Sequence, residues 1–233
     1  MSNEQTRDHR ALVPSNRQLP GTVSVITRGV RLAEAIRFAE GSNRSPSPTT
    51  TALVKRGIAL GERLLVSDRL TQLYNTVYLN LALRRESKRA LRLGRPLSLV
   101  FIDLDGFKEV HDSLGDLLGG RVLVAVAAVI RGSTYETNVV AHLDDGEFAI
   151  LMPDTGQETA FVVGERVRQR IAANRFQLSE AHNIQLTASV GLATLPDAVG
   201  SANELVDAAD KATCSVKASG GNGVRAAISS KQP

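Results

Sequence analysis

The stretch Leu97-Ser-Leu-Val-Phe-Ile-Asp103 constrains this chain more than any other. It is short, apolar except for Ser98, ends on an acid, and follows a helix stop at Gly94 and Pro96. A run of that length and bounding reads as a buried strand, which needs other elements packed over it. The surrounding sequence supplies them. Apolar residues recur at helical spacing over Leu70–Leu93, with Asp68 as a cap, and a long helix is predicted from roughly Asp116 to Arg131. Two strand-like runs, Asn138–Leu143 and Glu147–Met152, flank Asp144-Asp145-Gly146, a hairpin turn by composition. Helix Glu158–Arg175, strand Gln185–Ala193, helix Ala202–Ala218 and a strand near Val224–Ile228 follow. The order α-β-α-β-β-α-β-α-β contains a βαββαβ core. It predicts an α/β (α+β) domain with a central mixed, antiparallel-containing sheet and flanking helices.

That domain occupies residues 67–228 of 233. Before it, residues 1–51 read as a flexible basic extension. Within it Thr27–Glu40 is compatible with a short helix, and 41–51 is a Ser/Pro/Thr linker. Residues 52–66 read as a linker helix, with Leu53, Leu60 and Leu64 spaced like a seam that Gly57 and Gly61 weaken. Residues 229–233 form a tail. Residues 1–65 hold ten Lys/Arg against five Asp/Glu, while the rest holds eighteen against nineteen. The pI near 9.5 therefore belongs to the extension. An aromatic content of 4% argues against specific binding of single-stranded nucleic acid. One cysteine excludes a disulfide framework. The longest apolar run, Val122–Ile130, falls short of the roughly 20 residues of a membrane span. The first residues lack the apolar stretch of a secretory signal, so a soluble cytoplasmic protein is expected.

Asp103 and Asp105 sit at a strand end, and Asp144, Asp145 and Glu147 in the hairpin some forty residues on. Such carboxylates suit a divalent metal shared with substrate phosphates, and they also suit an ordinary turn. Spacing alone leaves both readings open. An EF-hand is excluded, because the glycine and the final acid are misplaced.

The same residues carry a resemblance. Asp68-Arg-Leu-Thr-Gln-Leu-Tyr-Asn75 is similar to the opening DxLTGLxN motif of the GGDEF family. Phe101-Ile-Asp-Leu-Asp-Gly-Phe-Lys108 resembles that family's first strand and metal loop. Asp144-Asp-Gly-Glu-Phe148 stands where its signature hairpin would be. Thr187-Ala-Ser-Val-Gly191 and Ala209-Asp210 through Lys217 resemble the closing strand and helix. Five motifs in order over residues 68–228 imply a GGDEF, nucleotidyl-cyclase palm-like fold, and with it synthesis of cyclic di-GMP from two GTP.

The resemblance also marks departures. The hairpin's two glycines, which admit the nucleotide phosphates, are Asp144 and Asp145, and its metal-binding acid is Gly146; Glu147 and Phe148 keep the pattern. The guanine-reading Asn and acid fall on His111 and Gly120. The inhibitory RxxD motif corresponds to Tyr135-Glu-Thr-Asn138 and lacks its Arg and Asp. The Arg before the hairpin is His142, and the Arg after the closing lysine is Gly221. What survives is Asp103 and Glu147 for a metal, and Lys108, Lys217 and His111 for a nucleotide. Each has a plain structural role open to it, such as an Asp103–Lys217 ion pair. The resemblance therefore implies a catalytically inactive regulatory or scaffolding module with no cofactor expected, Mg²⁺ entering only with a retained nucleotide. A residual diguanylate cyclase or a nucleotide sensor is the alternative. A protein partner is expected through residues 1–65, and active relatives pair two domains, which leaves a homodimer open.

Three further features stand apart. His111 and His142 lack a third zinc ligand, and Cys214 reads as packing. Arg84-Arg-Glu-Ser-Lys-Arg89, with Arg92 and Arg95, is either a solvated face or a surface for an acidic partner.

Overall fold

Strand β1 (Leu97–Leu104) is buried along its whole length, because both faces of its sheet are covered. The structure, a computed structural model, describes residues 66–178, 183–196 and 199–228. The readings made for 1–65 and for the tail lie outside those residues.

Period-2 alternation divides β1 between two cores. Val100, Ile102 and Leu104 meet α2 (Phe107–Arg131) and α3 (Gln157–Ala173), through Val122, Val126, Ile130, Val163 and Val167. Leu97, Leu99 and Phe101 meet α1 (Thr76–Leu93) and α4 (Ala202–Ala218), through Leu79, Leu83, Leu205 and Val206. Ser98, the one polar interruption, satisfies itself by a 2.7 Å hydrogen bond to Thr194.

The other strands are β2 (Val139–Asp144), β3 (Glu147–Pro153), the short pair β4 (Phe176–Gln177) and β5 (Asn183–Ile184), β6 (Ala188–Leu195) and β7 (Val224–Ala226). The main sheet runs β2-β3-β1-β6-β7, antiparallel except for the β6–β7 pair. The expected element order and mixed sheet are present.

Three boundaries and one strand pair depart most from the sequence reading. The first helix starts at Thr76 under an Asn75 cap, whose side chain accepts from the Tyr78 N–H at 3.0 Å. Asp68 caps a turn instead, as described below. Helix α2 begins nine residues earlier than expected, at Phe107, and is interrupted at Gly115 (φ 76°, ψ 170°), which hid its first half from a helical period. The strand expected from Gln185 starts at Ala188. The β4–β5 pair, two residues a side, carries too little pattern to be read.

By length and composition α2 would suffice to cross a membrane. Here Val122, Leu123, Val126 and Ile130 are buried against the sheet, and it serves as a core helix.

Candidate functional site

The site lies where β1 ends and the β2–β3 hairpin begins. Register places Asp103 of β1 directly opposite Glu147 of β3 on one side and Ser189 of β6 on the other. Opposed residues share a sheet face. Asp103 lies on the same face as Leu99 and Phe101, the one α4 covers, and Lys217 at the end of that helix reaches it with an Nζ–Oδ2 distance of 2.5 Å. Both Asp103 and Glu147 are buried. Of the two carboxylates expected at the strand end, Asp103 is thus held by an ammonium.

Asp105 is tied down differently. Its carboxylate accepts from the hydroxyls of Thr187 and Ser189 at 2.6 Å each, and from the Asn222 backbone N–H at 2.8 Å. It fastens the loop after α4 to the start of β6. A Cβ on Gly221 (φ 77°) would lie 2.8 Å from Asp105 Oδ2, so no larger residue fits there while Asp105 holds this position. Arg168 extends the network by donating to Asn222 Oδ1 at 2.6 Å and to Glu165. Sequence reasoning missed this latch; the signal was the Thr187 and Ser189 hydroxyls beside a glycine-rich turn.

In the hairpin, Asp144 pairs with Glu147, and the β2 register shifts between His142 and Asp144. Asp145 and Gly146 form the tip. Asp144 Oδ1 accepts from the Asp145 N–H at 2.9 Å, and both aspartates are exposed. Gly146 adopts φ 78°, and a Cβ there would lie 2.9 Å from the Phe107 ring. A side chain at this position meets both a left-handed backbone and the first residue of α2.

The two histidines lie apart in separate contacts. His142 stacks on Phe148 at 4.9 Å, with Nδ1 3.1 Å from Asp68 Oδ1 and Nε2 buried without a partner among the described residues. His111 lies against Gly119 and places Nε2 3.5 Å from the exposed Asp116 carboxylate. Gly120, where the resemblance calls for an acid, is covered by Leu70, whose Cδ1 would be 3.5 Å from a Cβ. Lys108 and Tyr135 are exposed, and Asn138 is half-buried, its Nδ2 without a hydrogen-bond partner among the described residues. No group of three or more His, Cys, Asp or Glu able to hold a metal occurs among the described residues. Burial, then the Asp210 charge, push the Cys214 thiol above its ordinary range, so it is not an activated nucleophile.

Asp68 has a folded-state pKa below its ordinary value of 3.8. Burial works to raise it, but hydrogen bonds from the Thr71 N–H and hydroxyl, both 2.7 Å, together with His142 more than offset that. A depressed carboxylate contributes stability above its unfolded pKa and loses it as pH falls through the folded one. The urea midpoint is therefore expected to drop further between pH 7 and the acid range for the wild type than for Asp68→Asn. Equal acid losses would remove Asp68 from the account.

The family model described as "Diguanylate cyclase, GGDEF domain" matches residues 65–223. The bifunctional diguanylate cyclase/cyclic di-GMP phosphodiesterase MucR of Pseudomonas aeruginosa is 32% identical over 177 residues, 74% of this chain and 26% of that protein. The response regulator PleD of Caulobacter vibrioides is 30% identical over 162 residues, 69% of this chain and 36% of that protein. This chain thus spans about a quarter to a third of the length of these relatives. Among solved structures, the TpbB GGDEF domain of P. aeruginosa matches with a TM-score of 0.66 at 29% identity, covering 70% of this chain and 94% of that one. The diguanylate cyclase SiaD of P. aeruginosa, solved in complex with its activator SiaC, matches with a TM-score of 0.68 at 29% identity, covering 87% and 76%. With two-thirds of its length matched by that model and its sheet order in place, the chain belongs to the GGDEF diguanylate cyclase domain family.

Proposed function

We propose that this GGDEF domain does not make cyclic di-GMP and acts as a regulatory or scaffolding module in cyclic di-GMP signalling. The observation that carries the reading is Gly146. At the position where the resemblance calls for a metal-binding acid, the backbone is left-handed and the Phe107 ring takes the space of a side chain.

Its surroundings agree. Lys217 neutralises Asp103, leaving Glu147 as its neighbouring carboxylate, and these residues do not fit a Mg²⁺ ion, which binds as a rule through carboxylates together with substrate phosphates. Asp144 and Asp145 stand where glycines would admit a triphosphate. At ~5 Å and an effective dielectric of ~20, each carboxylate–phosphate charge pair repels by about 3 kcal/mol. Gly120, without a side chain, offers no acceptor to read the base. With Asp105 engaged, Gly221 has no space for the missing arginine. Tyr135 and Asn138 lack the guanidinium that an inhibitory cyclic di-GMP site uses.

One observation favours the second reading, a residual cyclase or nucleotide sensor. Asp103 and Glu147 remain side by side at the strand end, with Lys108, His111 and Lys217 as nucleotide contacts. Titration calorimetry of the full chain with GTP plus Mg²⁺, and separately with cyclic di-GMP, distinguishes the two. The module reading expects no saturable heat with either. Saturable GTP binding that disappears in Asp103→Ala would replace it with the sensor.

As a module the domain works through contacts. The solved SiaD–SiaC complex is a precedent within the family for regulation by a bound protein. We place the corresponding contact of this chain in its basic residues 1–65, in a cytoplasmic protein that forms a homodimer or binds a second protein.

A further inference from the structure

The two ends of β1 differ in charge. At the end opposite the hairpin, the C-terminal half of α1 gathers Arg84, Arg85, Lys88, Arg89, Arg92 and, just beyond it, Arg95, against two carboxylates, Glu86 and Asp154. Glu86 is buried under them, receiving Arg85 Nε at 2.8 Å and Arg89 Nη1 at 3.2 Å. Asp154 receives Arg89 at 3.1 Å and Arg95 at 3.5 Å. The guanidinium groups are thus oriented from below, while Lys88 and Arg92 are exposed and have no carboxylate partner among the described residues. Leu91, on the same side of α1 as Lys88 and Arg92, is 50% exposed, and a small crevice lined by Glu86, Arg89, Pro96 and Asp154 lies beside Arg89.

We propose that this face docks an acidic, leucine-bearing segment of a partner protein. Charge complementarity selects the occupant. Oriented guanidinium groups match carboxylates in forked geometry, and Leu91 offers apolar contact beside them. The chain's own residues 1–65 carry an excess of five positive charges, and the face repels them. A nucleic-acid backbone makes no use of an exposed leucine, and the face has no Trp or Tyr of the kind that anchors a protein in a bilayer interface. The proposal concerns a surface away from the hairpin and stands whether or not the hairpin binds nucleotide.

The test is fluorescence anisotropy of the full-length protein with a fluorescein-labelled peptide of repeated Glu-Leu-Glu-Glu. Saturable binding is expected, falling as salt rises through the physiological range. Lys88→Glu/Arg92→Glu is expected to weaken it roughly tenfold or more, with an unchanged melting curve because neither side chain has a carboxylate partner among the described residues. Leu91→Ser weakens it less, and Arg28→Glu/Arg31→Glu in the extension leaves it unchanged. Should the reversed pair fail to fold, Lys88→Gln/Arg92→Gln tests the same contact. Undiminished binding by the α1 variants, or loss only with the extension variant, overturns the proposal. So does tighter binding, at the same salt, of phosphatidylglycerol vesicles or an oligonucleotide that the α1 variants abolish; the surface would then belong to a membrane or a nucleic acid.

Discussion

Gly191→Ala is expected to lower the melting midpoint by roughly 6–12 °C, from a loss of about 3 kcal/mol. Gly191 lies at the centre of β6, and α4 crosses it backbone against backbone. A Cβ there would collide with the Thr213 nitrogen and hydroxyl and with the Ala209 carbonyl, which the Thr213 hydroxyl already engages at 3.0 Å. A crowded side chain can rotate away, whereas a helix backbone must be displaced as a unit. Helix α4 also carries Lys217 and three buried residues of one core, Leu205, Val206 and Ala209, so displacing it disturbs both. Thr213→Ala added to Gly191→Ala is expected to restore little, because two of the three colliding atoms are backbone. Thermal unfolding followed by circular dichroism reads both. A shift below ~2 °C for the single variant would contradict this packing.

Lys217→Met is expected to cost about 2 kcal/mol at neutral pH. Removing one member of a fully buried ion pair costs roughly 3–5 kcal/mol, and water reaching the 28%-exposed Lys217 reduces that. The loss comes from leaving the Asp103 carboxylate buried without its cation. Asp103→Asn in the same chain is therefore expected to recover most of it, so the double variant is more stable than the sum of the single ones. Denaturation with and without Mg²⁺ adds a second reading. If Mg²⁺ restores the single variant, Asp103 and Glu147 can hold a metal once the lysine is gone. The present account expects no restoration.

The domain was legible because its strands announce themselves. Leu97–Asp103 and Glu147–Met152 are apolar on both faces, and the glycine-marked turn between Asp144 and Glu147 pairs β2 with β3. The first half of α2 was not legible, because Gly115 breaks the helical period. Asp68 was misread as a helix cap, since a capping aspartate looks the same before a turn as before a helix; its partner His142 is more than seventy residues away. At the site, the Asp103–Lys217 contact was one of the alternatives the residues allowed, and register with the end of α4 selects it. The crowding at Gly146 and Gly221 was invisible in sequence. It arises from Phe107 and Asp105, which come close only when the fold closes.

The central claim is that this fold persists without the cyclase chemistry. Incubating the purified full-length protein with GTP and Mg²⁺, and assaying the products chromatographically for cyclic di-GMP, tests it most directly. The account expects none above a no-protein control. Product that accumulates in proportion to enzyme, and that Asp103→Ala abolishes, would contradict it.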